Sequence, residues 1–227
     1  NNSLIAVLIA SQTKSVFKAS KIVLPGKISD AIAAECVIPE QPIVSTNASW
    51  IIPSFTFSVS SFDVTGASDL DVGWAGIGQY TTRINPCQML TIAGAVANGG
   101  SSVPPYLVGK ITSQTGKTIY EAKPGTATQL ISSDTASKMN DMLRSNVKNY
   151  YSDGKFPNLK MCGKTGTAEV SSETGGAKPH AWFVGYSQRE DLPLAIVVVV
   201  ENGGGGSSVA IPVANKTMQK ALSLYAK

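Results

Sequence analysis

The sequence predicts an α+β fold, an antiparallel sheet covered by helices, within one domain spanning residues 1–227. Two observations carry that expectation. The order of patterns is helices first, then three strands joined by short connections, then one closing helix. The composition, 43% hydrophobic and only 15% charged over 227 residues, supports a sizeable core and excludes a disordered chain.

The elements are justified in chain order. Leu4, Val7 and Leu8, then Val16, Phe17, Ser20 and Val23, recur at helical spacing and predict two short helices ending at Leu24-Pro25-Gly26. From Ile28 to Asp71, Ser, Thr, Pro and Asn alternate with β-branched residues, which fits short strands and loops. Gly76-Ile77-Gly78-Gln79 reads as a turn. Asn85-Pro86 then opens a helix with proline at its first position, Met89, Ile92, Ala93 and Val96 on one face, and Asn98-Gly99-Gly100 at its end. Leu107–Ile111 and Thr118–Ala122 form a hairpin around Gln114-Thr115-Gly116-Lys117. A helix over Ser133–Val147 takes Ser132 or Ser133 as its cap and turns Met139, Met142 and Leu143 inward. Asn149–Pro157 is a polar loop. Three strands follow at Leu159–Glu169, Ala181–Ser187 and Leu194–Val200, the last apolar throughout and so buried on both faces. Gly203–Gly206 reads as a flexible linker, and Ile211–Tyr225 as a closing helix with Val213, Met218, Ala221, Leu222 and Tyr225 on its apolar side.

Several function classes lose support at once. The net charge is +4, with no cluster of Lys or Arg, so nucleic acid is not an expected partner. Cys36, Cys87 and Cys162 are far apart and odd in number, which suits buried small side chains rather than a zinc site or a disulfide framework. A single histidine, His180, argues against a metal centre or a Ser-His-Asp triad; it is expected to be a strand residue bonded to a nearby carbonyl. Trp182 is expected in the core or a cleft wall, and Glu201 and Asn202 in a strand-end turn. No run of ~20 apolar residues is present. The chain opens on Asn1-Asn2 without an initiator Met and reads as a piece of a longer protein.

The chemistry concentrates at Gly163-Lys164-Thr165-Gly166-Thr167-Ala168. A phosphate-binding P-loop also ends in Gly-Lys-Thr, but it needs an earlier glycine where Asn158 stands, and a helix after the lysine where a strand continues. The alternative is the Lys-Thr-Gly element of serine acyl transferases. Lys164 on an edge strand offers a positive charge to a carboxylate, and Thr165 adds a directed hydroxyl. Gly166 removes a side chain so that a ligand can lie along the strand. Thr167 shares the face of Thr165, and a backbone N–H there can help form an oxyanion hole.

These residues, with their surroundings, resemble the class B penicillin-binding proteins, the peptidoglycan D,D-transpeptidases. Gly163–Glu169 looks like their Lys-Thr-Gly-Thr-Ala-Glu strand, and Pro179-His180-Ala181-Trp182-Phe183-Val184-Gly185-Tyr186 like the strand after it. Ile77-Gly78-Gln79, Pro86–Leu90, Ala97-Asn98-Gly99-Gly100 and Pro105–Val108 match the helix and exit that follow the family's Gly-x-Gly-Gln turn. The resemblance is clear over Asp71–Ala226. It implies a serine β-lactamase/transpeptidase-like fold, incomplete at the N-terminus, and a domain that is the C-terminal portion of a transpeptidase. It implies acyl transfer from D-Ala-D-Ala stem peptides in peptidoglycan cross-linking, covalent inhibition by β-lactams, and no metal or organic cofactor. Lys164, Thr165, Gly166 and Thr167 would bind substrate. The implied partners include proteins of a cell-division or elongation complex. The implied location is the extracytoplasmic face of the bacterial membrane, anchored by a segment outside this chain. The same fold leaves open a serine β-lactamase, a D,D-carboxypeptidase, or a non-catalytic β-lactam sensor or scaffold.

Two placements of the family's remaining motifs are open. In one, Asn1 is the catalytic Asn of a Ser-x-Asn element opening the first helix, with Phe17, Val23 and Leu24-Pro25-Gly26-Lys27 after it, and the Ser-x-x-Lys nucleophile lies before residue 1. In the other, Ser15-Val16-Phe17-Lys18 and Ser45-Thr46-Asn47 supply the two motifs. The family precedes its nucleophile with a Pro-Gly turn and a sheet strand. The sequence reads as having neither before Ser15, and Ser11-Gln12-Thr13-Lys14 matches the short pattern as well.

Overall fold

A computed structural model describes residues 5–11, 60–104, 110–121, 123, 125–170 and 178–225. Asn1, the segment 12–59 with Ser15, Cys36 and Ser45-Thr46-Asn47, and residues 107–109 of the expected Leu107–Ile111 strand lie outside the described residues.

The strands are β1 (Ile5–Ser11), β2 (Ser101–Ser102), β3 (Lys110–Thr112), β4 (Thr118–Glu121), β5 (Thr128–Gln129), β6 (Met161–Ala168), β7 (His180–Ser187) and β8 (Leu194–Val200). The helices are α1 (Asp69–Gly76), α2 (Pro86–Ala97), α3 (Ser133–Asn146) and α4 (Ile211–Tyr225). The main sheet runs β1-β8-β7-β6, antiparallel at every step. The central strand β8, Leu-Ala-Ile-Val-Val-Val-Val, is buried along its whole length, as a run without alternation demands. The hairpin β3–β4 forms as expected, with Gly116 in the left-handed region at φ 80° in its turn.

The sheet is covered on both faces. On one, Val147, Phe156, Leu159, Met161, Phe183, Ile196 and Val198 meet Ile211, Ala214 and Met218 of α4. On the other, Cys162, Tyr186, Ala195, Val197 and Val199 meet Leu90, Ala93 and Val96 of α2, with Met139 and Leu143 of α3 against them. The amide of Asn140 on α3 joins this second face to the sheet. Its Oδ1 accepts from Tyr186 Oη at 2.9 Å and Gln188 Nε2 at 3.0 Å, and the Cys162 thiol lies 3.7 Å away. Burial pushes the Cys162 thiol up to about 11.

Within the sheet, Gly163 on β6 and Gly185 on β7 lie opposite each other. The Phe183 ring crosses both: a Cβ on Gly163 would come within 2.5 Å of it, and one on Gly185 within 3.0 Å. The missing side chains make room for a large ring over the strand pair, which Phe156 extends with its own ring 5.3 Å away between centroids.

The structure departs from the sequence reading in several places. Ile5–Ser11 is a strand paired residue for residue with β8, not a helix. A short apolar run has no periodicity that separates the two states, and here pairing with the apolar β8 decides it. Helix α1 was missed, although Ser68 and Asp71 form a reciprocal capping box over its first turn. Ile92 and Met142 face solvent; Leu90 and Ala136 take the inward positions on their helices. The polar loop 149–157 contains π-helical and 3₁₀ turns (Val147–Tyr151 and Asp153–Lys155) and buries Phe156 in the core.

Gly203–Gly206 is no loose linker. Gly204 N–H donates to Pro179 O at 2.9 Å, and buried Gly206 lies against β6 and β7. A Cβ there would overlap the Gly166 carbonyl, come within 2.8 Å of the Trp182 carbonyl and within 3.1 Å of Thr165 Cβ. Gly206→Ala is therefore expected to destabilise the domain by about 1–3 kcal/mol through overpacking. Chemical denaturation measures this, and an unchanged midpoint would show the segment to be loosely held.

Candidate functional site

Strand β6 is the end strand of the main sheet among the described residues, and it carries Lys164, Thr165, Gly166 and Thr167. The strand state excludes the P-loop alternative, which needs a helix there. An unpaired edge exposes N–H and C=O groups that must be satisfied or covered. Here they are answered one at a time. Arg144 Nη1 donates to Met161 O at 2.9 Å, and Asn146 Nδ2 to Gly163 O at 3.2 Å. Tyr151 Oη accepts from Thr165 N–H at 3.1 Å. Lys164 Nζ curls back to donate to Thr165 O at 2.6 Å. Gln79 Nε2, from the Gly-x-Gly-Gln turn 88 residues earlier in the chain, donates to Thr167 O at 3.2 Å. In an antiparallel ladder the N–H and C=O of one residue point to the same side, so the Thr167 N–H also faces off the sheet. Among the described residues, no hydrogen-bond partner outside the sheet is found for it.

The side chains divide between the two faces of the strand. Lys164 projects opposite Thr165 and Thr167 and is exposed. Thr165 Oγ1 sits 2.9 Å from Tyr151 Oη, and Thr167 Oγ1 accepts from Gly206 N–H at 3.2 Å. Gly166 faces Trp182 on β7; a Cβ there would meet the Trp182 Cβ at 3.2 Å. The edge thus combines an exposed ammonium, two anchored hydroxyls and an outward N–H. A carboxylate-bearing acyl compound lying along β6 would find donors of each kind there.

The sequence reading names the four β6 residues as the site but not the groups that support them. Asn146, Tyr151 and Gly206 all lay in segments read as helix end, loop or linker. The adjacent Tyr150-Tyr151 pair in an otherwise polar stretch was the one available signal. Gln79 was noted as part of a turn, without its reach to β6. His180 is a strand residue as expected, but its Nδ1 accepts from Asn202 N–H at 3.0 Å instead of bonding a carbonyl, and φ 52° at Asn202 makes that turn. Trp182 lines the second core face. Asn1 lies outside the described residues, and the helix expected to follow it is β1 over Ile5–Ser11. That strand also means the Ser15 placement does have a sheet strand before it.

The family model for the penicillin-binding protein transpeptidase domain matches residues 57–219. This chain belongs to that family. Among curated relatives of this transpeptidase domain, the peptidoglycan D,D-transpeptidase PbpA of Mycolicibacterium smegmatis is 28% identical over 156 residues, covering 66% of this chain and 32% of the relative. PbpA of Mycobacterium tuberculosis is 28% identical over 127 residues, covering 56% of this chain and 26% of its own. The crystal structure of M. tuberculosis PBPA superposes with a TM-score of 0.64 at 27% identity, over 72% of this chain and 40% of that one. A ceftriaxone acyl-enzyme complex of the same protein gives a TM-score of 0.61 at 28% identity, over 66% and 35%. The α+β fold expected from the sequence is therefore the one these transpeptidase domains share. The chain spans about a third of the length of the relatives it matches.

The loop that carries Tyr151 is fastened by an ion pair. Arg144 Nη1 and Nη2 reach Asp153 Oδ1 and Oδ2 at 2.7 and 2.6 Å, while Nη1 also holds Met161 O. The hydrogen bond from Arg144 holds the Asp153 carboxyl below its usual value. Its stabilisation is complete above the ordinary carboxylate pKa and is lost as pH falls through the lowered one. Asp153 is half exposed, so Asp153→Asn is expected to cost about 1 kcal/mol or less at pH 7. That difference should shrink below about pH 4, as thermal melts of both proteins over a pH series would record. A difference that grows in acid would contradict the assignment.

Proposed function

We propose that the intact protein is a serine-type D,D-transpeptidase of peptidoglycan cross-linking, and that this chain supplies the C-terminal portion of its penicillin-binding transpeptidase domain. The observation that carries the reading is the edge of β6, whose outward carbonyls are met by side-chain donors while Lys164, the Thr167 N–H and the two threonine hydroxyls stand together along it. In the proposed reaction a serine oxygen attacks the penultimate carbonyl of a D-Ala-D-Ala stem peptide. The peptide bond breaks, and the terminal D-Ala leaves with a proton. An acyl-enzyme remains, which the amine of a second stem peptide then attacks. The donors of β6 would hold the terminal carboxylate, and the Thr167 N–H would stabilise the oxyanion. β-Lactams would acylate the same serine; the M. tuberculosis relative has been captured as a ceftriaxone acyl-enzyme complex.

Membership in a family whose named relatives are D,D-transpeptidases supports this reading over a β-lactamase, a carboxypeptidase or a non-catalytic sensor. The family kinship also supports action outside the cytoplasmic membrane, beside proteins of an elongation or division complex. No helix among the described residues is long and apolar enough to cross a membrane, so the proposed anchor is sought outside them.

In the full-length protein, Lys164→Ala is expected to lower the rate of acylation by benzylpenicillin about ten- to a hundredfold, the worth of a hydrogen bond to a charged group. Stopped-flow or intact-mass kinetics reads this directly. Equal rates for mutant and wild type would remove Lys164 from the site, and rapid penicillin turnover would indicate a β-lactamase. Mapping the labelled peptide also decides between the two nucleophile placements. A label on Ser15 puts the nucleophile within this chain, whereas a label on a serine beyond these 227 residues keeps the proposed role of Asn1.

A further inference from the structure

The hydroxyl of Tyr151 has three polar neighbours. Thr165 N–H lies 3.1 Å away, Asn146 Nδ2 3.5 Å away and Thr165 Oγ1 2.9 Å away. The orientation of the Asn146 amide is fixed independently. The same nitrogen is 3.2 Å from Gly163 O, a carbonyl that can only accept. Two N–H groups therefore point at the phenol oxygen, and neither can take a proton from it. Among the described residues, the single Tyr151 O–H proton is left with one acceptor, Thr165 Oγ1.

This settles the polarity of the threonine. A hydroxyl that accepts from tyrosine has its own proton free to give, and hydrogen bonds in such a chain reinforce one another. We propose that Tyr151 is a positioning residue which, held by Thr165 N–H and Asn146, fixes the Thr165 hydroxyl as a proton donor toward the carboxylate of the acyl substrate. The proposal rests on the reading that β6 grips that carboxylate. Tyr151 itself does not touch the ligand. It acts by removing the freedom of Thr165 Oγ1 to turn its lone pairs outward, where they would repel an anion.

The test compares benzylpenicillin with its methyl ester, which lacks the carboxylate charge, on the full-length protein. Tyr151→Phe keeps the ring and removes only the hydroxyl. It is expected to slow acylation by benzylpenicillin about tenfold and to leave the rate with the ester within about twofold. Thr165→Val should lose more with benzylpenicillin than with the ester, and the double variant should be no slower with benzylpenicillin than Thr165→Val alone, because both break one chain of bonds. Equal losses on both compounds would mean that Tyr151 merely supports the fold and would overturn the proposal, as would an unchanged rate with benzylpenicillin or additive effects in the double variant. If the wild-type protein is not acylated by penicillin, the functional reading falls and takes the proposal with it. If wild type is acylated but Tyr151→Phe loses no selectivity, the proposal alone falls.

Discussion

The structure depends on how a sheet edge is finished. A strand with one unpaired side exposes a polar group at every step, and each must be bonded or covered if the edge is not to pair with another chain. On β6 the outward carbonyls and the Thr165 N–H are met by Arg144, Asn146, Tyr151, Lys164 and Gln79, drawn from a helix end, the turn after it, the strand itself and a turn far away in sequence. Each bond also fixes the segment that supplies it. The end of α3, the turns through Lys155 and the Gly-x-Gly-Gln turn are all positioned by what they donate to or accept from one strand. Among the described residues an opening remains at Thr167, where in the proposed function a ligand would complete the edge as an added strand would.

Packing around the strand serves the same end. Glycine stands at 163, 166, 185 and 206, wherever another group must approach β6 or β7 closely. A ring lies over the first pair of strand positions, and backbone from the 203–206 segment lies beneath Gly166 and Thr165. The second contact converts what composition suggests is a hinge into a wall. It also gives Thr167 Oγ1 a backbone donor, so this hydroxyl, like that of Thr165, is met from the protein side by a group that gives a proton.

Much of this was legible in the sequence, and the failures have physical causes. The three strands β6, β7 and β8 and helices α2, α3 and α4 were readable because each has enough length for its period or its apolar run to stand out, and α2 announces its start with Asn85-Pro86. Ile5–Ser11 was misread because a run of six apolar residues carries no periodic signal, and its state is set by β8, some 190 positions later. The four residues Lys164–Thr167 were recognisable as a motif. Their supports were not, because Tyr151, Asn146 and Gln79 reach β6 through tertiary hydrogen bonds that no local pattern encodes. Gly206 misled in a different way: a glycine run signals flexibility in isolation, and only the close approach of Gly166 and Trp182 reveals that small size is what the position requires.

The distribution of donors explains why such an edge suits an anion and not merely a peptide. An ordinary edge strand alternates donors and acceptors along its length, and it would take a neutral backbone as readily as a carboxylate. On β6 the outward carbonyls of Met161, Gly163, Thr165 and Thr167 are all occupied by N–H donors from side chains. Acceptors are thereby removed from the free edge while the Thr167 N–H is left. Lys164 has no acceptor to offer, and the two threonine hydroxyls are each supplied with a proton from within. What faces a ligand is then donor in character throughout. Charge-assisted bonds to an ionised acceptor are roughly twice as strong as neutral ones, so a surface cleared of acceptors favours a carboxylate by both attraction and the absence of repulsion. In the proposed function, selectivity for a carboxylate would lie less in Lys164 alone than in the side chains that occupy the carbonyls around it.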